Sequence, residues 1–338
     1  MKQLSLWFAL LSCTVLAGLL PVSCTKENGI LDLKNMSNTS STAANAVKAS
    51  TPAVDPAITF TNSITVKSGK ASVTTNYLVV MNTDGSNKTS IYSSTTASFG
   101  RPSWSPDGKH IVFILGSPSQ IYTIDVSVVN GIPKGSNLKQ IPITNSPSLE
   151  PASTVVWSPK GDKFLFNGSN KGGLYTILIT GGLATLEYTP DTGDGIFTQC
   201  WSPTADSIAF EESTPNGYSL RMLDLGTHQT SIILPPNTNF FPRYPVWSRH
   251  GDRIAIDGFN PNVIANPAVY TIAILGPNQF GAPKELFANG ICPAWSPDDS
   301  KLEYYYSLQT KTVYSYDFTS GISKQLTTNG GWGDWRSF

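Results

Sequence analysis

Five times between Pro102 and Tyr304 the chain repeats one pattern: PSWSPDGKHIVF from Pro102, VVWSPKGDKFLF from Val155, QCWSPTADSIAF from Gln199, PVWSRHGDRIAI from Pro245 and PAWSPDDSKLEY from Pro293. The tryptophans Trp104, Trp157, Trp201, Trp247 and Trp295 stand 53, 44, 46 and 48 residues apart. Nine residues after each comes a large apolar side chain: Phe113, Phe166, Phe210, Ile256 and Tyr304. Between them lie Ser, Pro, Asp and Gly, which pre-set or tolerate turn dihedrals. Each unit therefore predicts a β-hairpin whose two strands address one core.

A second strand pair follows in every unit. QIYTIDV, GLYTILI, YSLRMLDL, AVYTIAI and TVYSYDF carry β-formers, and LKQIPIT, ATLEYT, TSIILP, KELFAN and SKQLTT come after a turn. Four short strands per period of 40 to 50-odd residues describe a β-propeller blade, which needs neighbours because it cannot bury both faces alone. A sixth Trp, Trp335, stands 40 residues after Trp295 and has almost no chain beyond it. The strands it lacks are available at the other end, in AITFTNSITV, NYLVVMNTDG and TSIYSS. The expected fold is all-β: a six-bladed propeller over 57–338, its ring closed by one C-terminal strand joining three N-terminal ones.

Composition agrees. Charged residues are 14% of the chain, against roughly 25% in ordinary globular proteins, which argues against long solvated helices and coiled coils. Lys and Arg (23) balance Asp and Glu (23), so there is no electrostatic footprint for nucleic acid.

Residues 1–23 read as an export signal: Lys2, then an apolar run from Leu4 to Leu20, ending at Pro21-Val22-Ser23-Cys24. That ending resembles a bacterial lipobox, with Pro21 where Leu is usual, and makes Cys24 the expected lipidation site. Thr25 after it implies, by the same resemblance, the outer membrane of a Gram-negative envelope. Residues 24–56 hold few large apolar groups and read as a tether.

The repeats resemble those of TolB-type propellers, P-x-W-S-P-D-G-x-x-I-A-F followed by a strand of the I-Y-V-M-D type. The resemblance spans about 280 residues, five times in full and once in part. It implies the fold. The N-terminal α/β domain of TolB itself has no counterpart here, so TolB's envelope role does not transfer directly. Lyases with such propellers use channel His and metal ligands.

Little in the chain points to catalysis. Asp107, Asp162, Asp206, Asp252 and Asp298 sit at the repeated turns, where carboxylates accept backbone N–H bonds. His110, His228 and His250 share no metal-ligand spacing. Neither a nucleophile elbow nor a phosphate loop occurs. Cys200 and Cys292 fall on non-adjacent blades and are expected as buried free thiols. No cofactor, metal or catalytic set is expected.

A binding surface is expected at the channel mouth, where connectors meet the starts of the inner strands: Arg101, Glu150, Asp194, Phe240, Phe241, Arg243, Tyr244, Trp332 and Asp334. The run Asn239-Phe240-Phe241-Pro242-Arg243-Tyr244 places aromatics and Arg in a connector, the residue types of interface anchors. Phe240 and Phe241 also fit a plainer role, closing a strand end under the blade. The functional expectation is a monomeric, lipid-anchored, non-catalytic envelope module that recognises a protein, peptide or glycan. The alternatives are a scaffold, or a polysaccharide lyase or glycosidase using a pair such as Glu150 and Asp194.

Overall fold

The computed structural model describes residues 55–68, 71–145, 149–169, 172–190, 195–260, 267–306, 312–331 and 333–336. The expected signal, Cys24, the tether up to residue 54, Asp194 and Trp332 lie outside the described residues. Every regular element among the described residues is a strand, and none of them forms a helix long and apolar enough to cross a membrane.

The strands group into six antiparallel sheets, numbered here as blades 1 to 5 in chain order plus a closing blade. Inner strands are Ser103–Trp104, Pro151–Trp157, Ile196–Trp201, Phe241–Trp247 and Gly290–Trp295, each followed outward by three more. Blade 4 adds a two-residue strand, Gln279–Phe280, on Ala268–Gly276 beside its fourth strand, Lys284–Ala288. The closing blade is built as the sequence implies. Gly333–Trp335 is its inner strand, paired with Ile58–Ser68 (Ile58 opposite Trp335), then Ala71–Met81 and Thr89–Ser94.

One strand differs from the sequence reading. The fourth strand of blade 1 runs Ile132–Gln140 and so begins six residues before LKQIPIT. Asn130 (φ 52°) and Gly131 (φ 75°) are both left-handed, and Val129 pairs with Ile132 across them. Asn-Gly in that conformation makes a two-residue hairpin whose twist matches its strands, so pairing continues to the tip.

The repeated turn has a common mechanism. Ser105 Oγ donates to Asp107 at 2.6 Å and accepts the His110 N–H at 2.9 Å. Ser158, Ser202, Ser248 and Ser296 likewise donate to Asp162, Asp206, Asp252 and Asp298. Those bonds hold the carboxyls of Asp206, Asp252 and Asp298 below their ordinary range, and that of Asp107 too, against the opposing effect of burial. The Asp array is thus bound up in turn geometry. Four residues after each Trp the backbone is left-handed: Gly108, Gly161 and Gly251, but also Ala205 (φ 56°) and Asp299 (φ 55°).

Each inner-strand Trp belongs to a cluster that crosses to the neighbouring blade. Trp201 of blade 3 packs with Leu165 and Leu174 of blade 2, and Trp295 of blade 5 with Ala255 and Val269 of blade 4. Trp335 joins Ile58 and Met81 to Val313 and Leu326 of blade 5. Leu78 and Val80 of the same closing blade meet Trp104 and Ile111 of blade 1. Six such clusters among the described residues complete a ring.

Candidate functional site: the channel and its mouth

Inner strands start at the mouth and end at the Trp-Ser turn. Their pairing with the second strand breaks about three residues before Trp, at Pro151/Val155, Ile196/Gln199, Arg243/Val246 and Ile291/Ala294. These breaks are bulges, which turn side chains and N–H groups out of the ladder. Tyr244 (φ 50°) and Cys292 (φ 53°) sit at them in left-handed conformations. The freed N–H groups bond to the preceding blade: Tyr244 N–H to Thr198 Oγ1 and Cys292 N–H to Asp257 Oδ2, each at 3.0 Å. Trp104 N–H likewise bonds Asp334 Oδ2 of the closing blade at 3.0 Å.

Carboxylates therefore line the ring wall. Asp257 is fully buried, yet Arg243 Nε donates to it at 2.8 Å. Burial pushes its carboxyl up to about 6 despite Arg243. Burial likewise raises Glu211 to about 8, and Asp257 nearby adds to the rise, while the Thr198 hydroxyl donates to it at 2.8 Å. Glu303 and Asp334 are raised chiefly by burial too, and Asp334 adds to the rise at Glu303. The thiol of Cys200 is pushed up to about 12 by burial and that of Cys292 well above its ordinary value, so both are inert.

At the mouth this wall opens into a slot of about 270 Å³ lined by Phe197, Thr198, Glu211, Tyr218, Phe241, Arg243 and Tyr244. The Tyr218 and Phe241 rings are 3.8 Å apart between centroids, and Phe197 and Phe259 flank them at 6.1 and 6.2 Å. The Arg243 guanidinium lies 5.3 Å from the Phe259 centroid. Around Arg101 and Tyr244 lies a small cavity of about 50 Å³. Another cavity, of about 320 Å³, is lined by Trp104, Trp157, Trp201, Trp247, Trp295 and Asp334 among others, at the turn face.

The expected mouth residues thus divide. Phe241, Arg243 and Tyr244 line the slot together. Phe240 does not. It packs edge-on against Tyr270 at 5.3 Å and covers Gly258, where any Cβ would strike its ring. The inner strand starts at Phe241, and Phe240 just before it turns to the core while Phe241 faces the mouth.

Arg101 and Asp334 lie deeper than the slot. Arg101 crosses the channel to the carbonyls of Gly333 (3.2 Å) and Pro293 (2.8 Å), while Asp334 lies at the far cavity holding Trp104. Both sit inside the ring, where Arg101 is held by those two carbonyls and Asp334 by the Trp104 N–H. Glu150 is half-buried at the start of the blade 2 inner strand, and its carbonyl accepts the Ser169 N–H at 2.8 Å.

Sequence reasoning missed Phe197, Tyr218, Phe259, Glu211 and Asp257. A signal existed for two of them. Glu211 and Asp257 directly follow the large apolar residue nine beyond Trp, an ionisable group placed straight after an apolar run. Among the described residues, no group of three or more His, Cys, Asp or Glu side chains is arranged to hold a metal ion.

No family model matches the chain, and no curated protein matches it. Solved structures do resemble it. TolB from Acinetobacter baumannii aligns with a TM-score of 0.61 at 17% identity, over 83% of this chain and 66% of that one. A protein assigned as TolB from Agrobacterium tumefaciens gives 0.57 at 14% identity, over 82% and 91%. A chain of the nidogen–laminin complex gives 0.55 at 9%, over 83% and 98%. This chain therefore spans just under two thirds of the Acinetobacter TolB. At such identities the likeness concerns the fold, and the fold is a TolB-like six-bladed propeller.

Proposed function

We propose that this protein is a non-catalytic recognition module of the bacterial cell envelope, lipid-anchored through Cys24, that engages a protein, peptide or glycan at the channel mouth. The observation that carries this reading is the slot itself: rings of Phe197, Tyr218 and Phe241 beside the Arg243 guanidinium. Aromatic and Arg side chains in a partly desolvated pocket are the usual anchors of an interface. Because Arg101 reaches across to the carbonyls of Gly333 and Pro293, we read the partner as held at the surface and not threaded through the ring. The TolB-like fold supports a binding role at a coarse level, and an envelope location with it.

The test is a pull-down from envelope extract, with a glycan array alongside, on wild type and Phe241→Ala. Phe241 is half-exposed, so the variant is expected to fold with a nearly unchanged Tm and to lose binding by about 2 kcal/mol, as for an interface anchor. Trp201→Ala serves as the contrast, with about 3–5 kcal/mol of stability lost through a core cavity. Unchanged binding by folded Phe241→Ala protein would remove this slot as the site.

A further inference from the structure

The order of strands decides which features share a face. Inner strands run from the mouth to the Trp-Ser turn, and each later strand of a blade is antiparallel to the one before. Hairpins joining third to fourth strands therefore project on the turn face, away from the mouth. Ile58 pairs with Trp335, the last residue of the closing inner strand. The chain thus joins the ring at this same turn face, where Asp55 is ion-paired with Arg336.

That face carries exposed aliphatic side chains at hairpin tips of four different blades. Ile132 in blade 1 and Leu178 in blade 2 are each 54% exposed, Leu183 in blade 2 is 73%, Leu275 in blade 4 is 67% and Ile322 in blade 5 is 65%. Large aliphatics so exposed, gathered on one rim, mark a surface that something covers. We infer that the turn-face rim of this propeller docks on a lipid bilayer, with these hairpin tips entering its interfacial zone.

Three observations choose lipid over a protein partner. Asp55, from which the chain leads back to the apolar run Leu4–Leu20 and Cys24, stands on this face. The thirty residues between Cys24 and Asp55 span at most roughly 100 Å, which bounds the distance from this rim to the surface holding Cys24. The tips stand on separate blades as single projections, which a fluid interface accommodates without a matching shape. Charge adds little, since Lys109, Lys134, Lys160, Arg249, Arg253, Lys301 and Lys324 share the face with Asp84, Asp224, Asp317 and the turn carboxylates Asp107, Asp162, Asp206, Asp252 and Asp298. Attraction by apolar burial is then nearly independent of salt. This inference rests on the anchored reading above. It adds an orientation, with the recognition slot turned away from the membrane.

The experiment uses the full acylated chain in phosphatidylcholine vesicles, with an environment-sensitive fluorophore on Leu183→Cys or, as the mouth-face control, on Val66→Cys. Val66 is 62% exposed on the hairpin between the second and third strands of the closing blade. Cys200 and Cys292 are buried and do not compete for label. Docking is expected to shift emission at 183 to the blue and to give at least threefold stronger quenching there than at 66 by bilayer-embedded quenchers, little changed by 0.5 M salt. Vesicle-bound protein with equal quenching at the two positions, or stronger at 66, overturns the inference and leaves the anchor standing. A blue shift at 183 that grows with protein concentration in the absence of lipid overturns it in favour of a second copy. Protein that fails to float with vesicles, and takes up no palmitate analogue in cells, overturns both readings.

Discussion

Arg243 Nε reaches Asp257 Oδ1 at 2.8 Å within a single blade, and Asp257 passes the link on by accepting the Cys292 N–H of the next. One guanidinium thus neutralises a carboxylate with no access to solvent and, through it, steadies a left-handed backbone in blade 5.

Removing that cation leaves a buried charge. Arg243→Ala is expected to lose about 3–5 kcal/mol of stability at pH 8. The loss should shrink toward pH 5, because Asp257 already has its carboxyl raised to about 6 and is mostly protonated there. Adding Asp257→Asn should recover most of it, since the amide oxygen still accepts the Cys292 N–H. Urea denaturation of the three variants at both pH values measures this. A loss equal at pH 5 and 8 would disprove the charge argument. The large cost also explains why Phe241 is the cleaner probe of binding.

Glu211 sets a second pH dependence. Burial raises its folded carboxyl to about 8, from an ordinary value of 4.5. The folded state therefore holds a proton that the unfolded chain has released, and stability falls as pH rises through that window. Glu211→Gln, which cannot ionise, is expected to flatten the decline between about pH 5 and 8 and to be the more stable protein at pH 8. Parallel slopes of Tm against pH for the two proteins would refute it.

Ring closure depends on ten residues. Deleting 329–338 removes Trp335, which is 2% exposed and packs between the closing blade and blade 5. Trp335→Ala alone should cost about 3–5 kcal/mol, and the deletion more, because it also exposes the edge of Ile58–Ser68. A calorimetric scan showing the wild-type Tm for the truncated chain would mean that the closing strand holds nothing.

Ala205 takes a place where three other turns have glycine, at φ 56°. The left-handed region costs an L-residue about 1 kcal/mol, offset in part by the extra freedom glycine has when unfolded. Ala205→Gly is therefore expected to be neutral to stabilising, by up to about 1 kcal/mol. The reverse change at Gly251, also left-handed at φ 78°, should destabilise by a similar amount. Chemical denaturation of both variants checks the pair of signs.

The repeat by itself determined the propeller. Trp spacing, the Ser-Pro-Asp-Gly turns and the alternating strands are short-range signals, each readable within about 50 residues, and the unmatched strands at the two ends implied closure. Even the burial of Cys200 and Cys292 as free thiols followed from their places beside the inner-strand Trp. The site was a different matter. Which of Phe240 and Phe241 faces the mouth depends on where the strand starts, and a bulge then reverses the facing of every residue between it and the Trp. Arg101 bonds carbonyls 192 and 232 residues away, while Asp257 and Thr198 take N–H groups from neighbouring blades. A carboxylate in a strand looks like an error of pattern until strand pairing brings it an arginine and the next blade an unpaired N–H. Arg243 and Thr198 come from the inner strand of the same blade and the Cys292 N–H and the carbonyls at Arg101 from other blades, so only the tertiary structure decided what Glu211, Asp257 and Arg101 do.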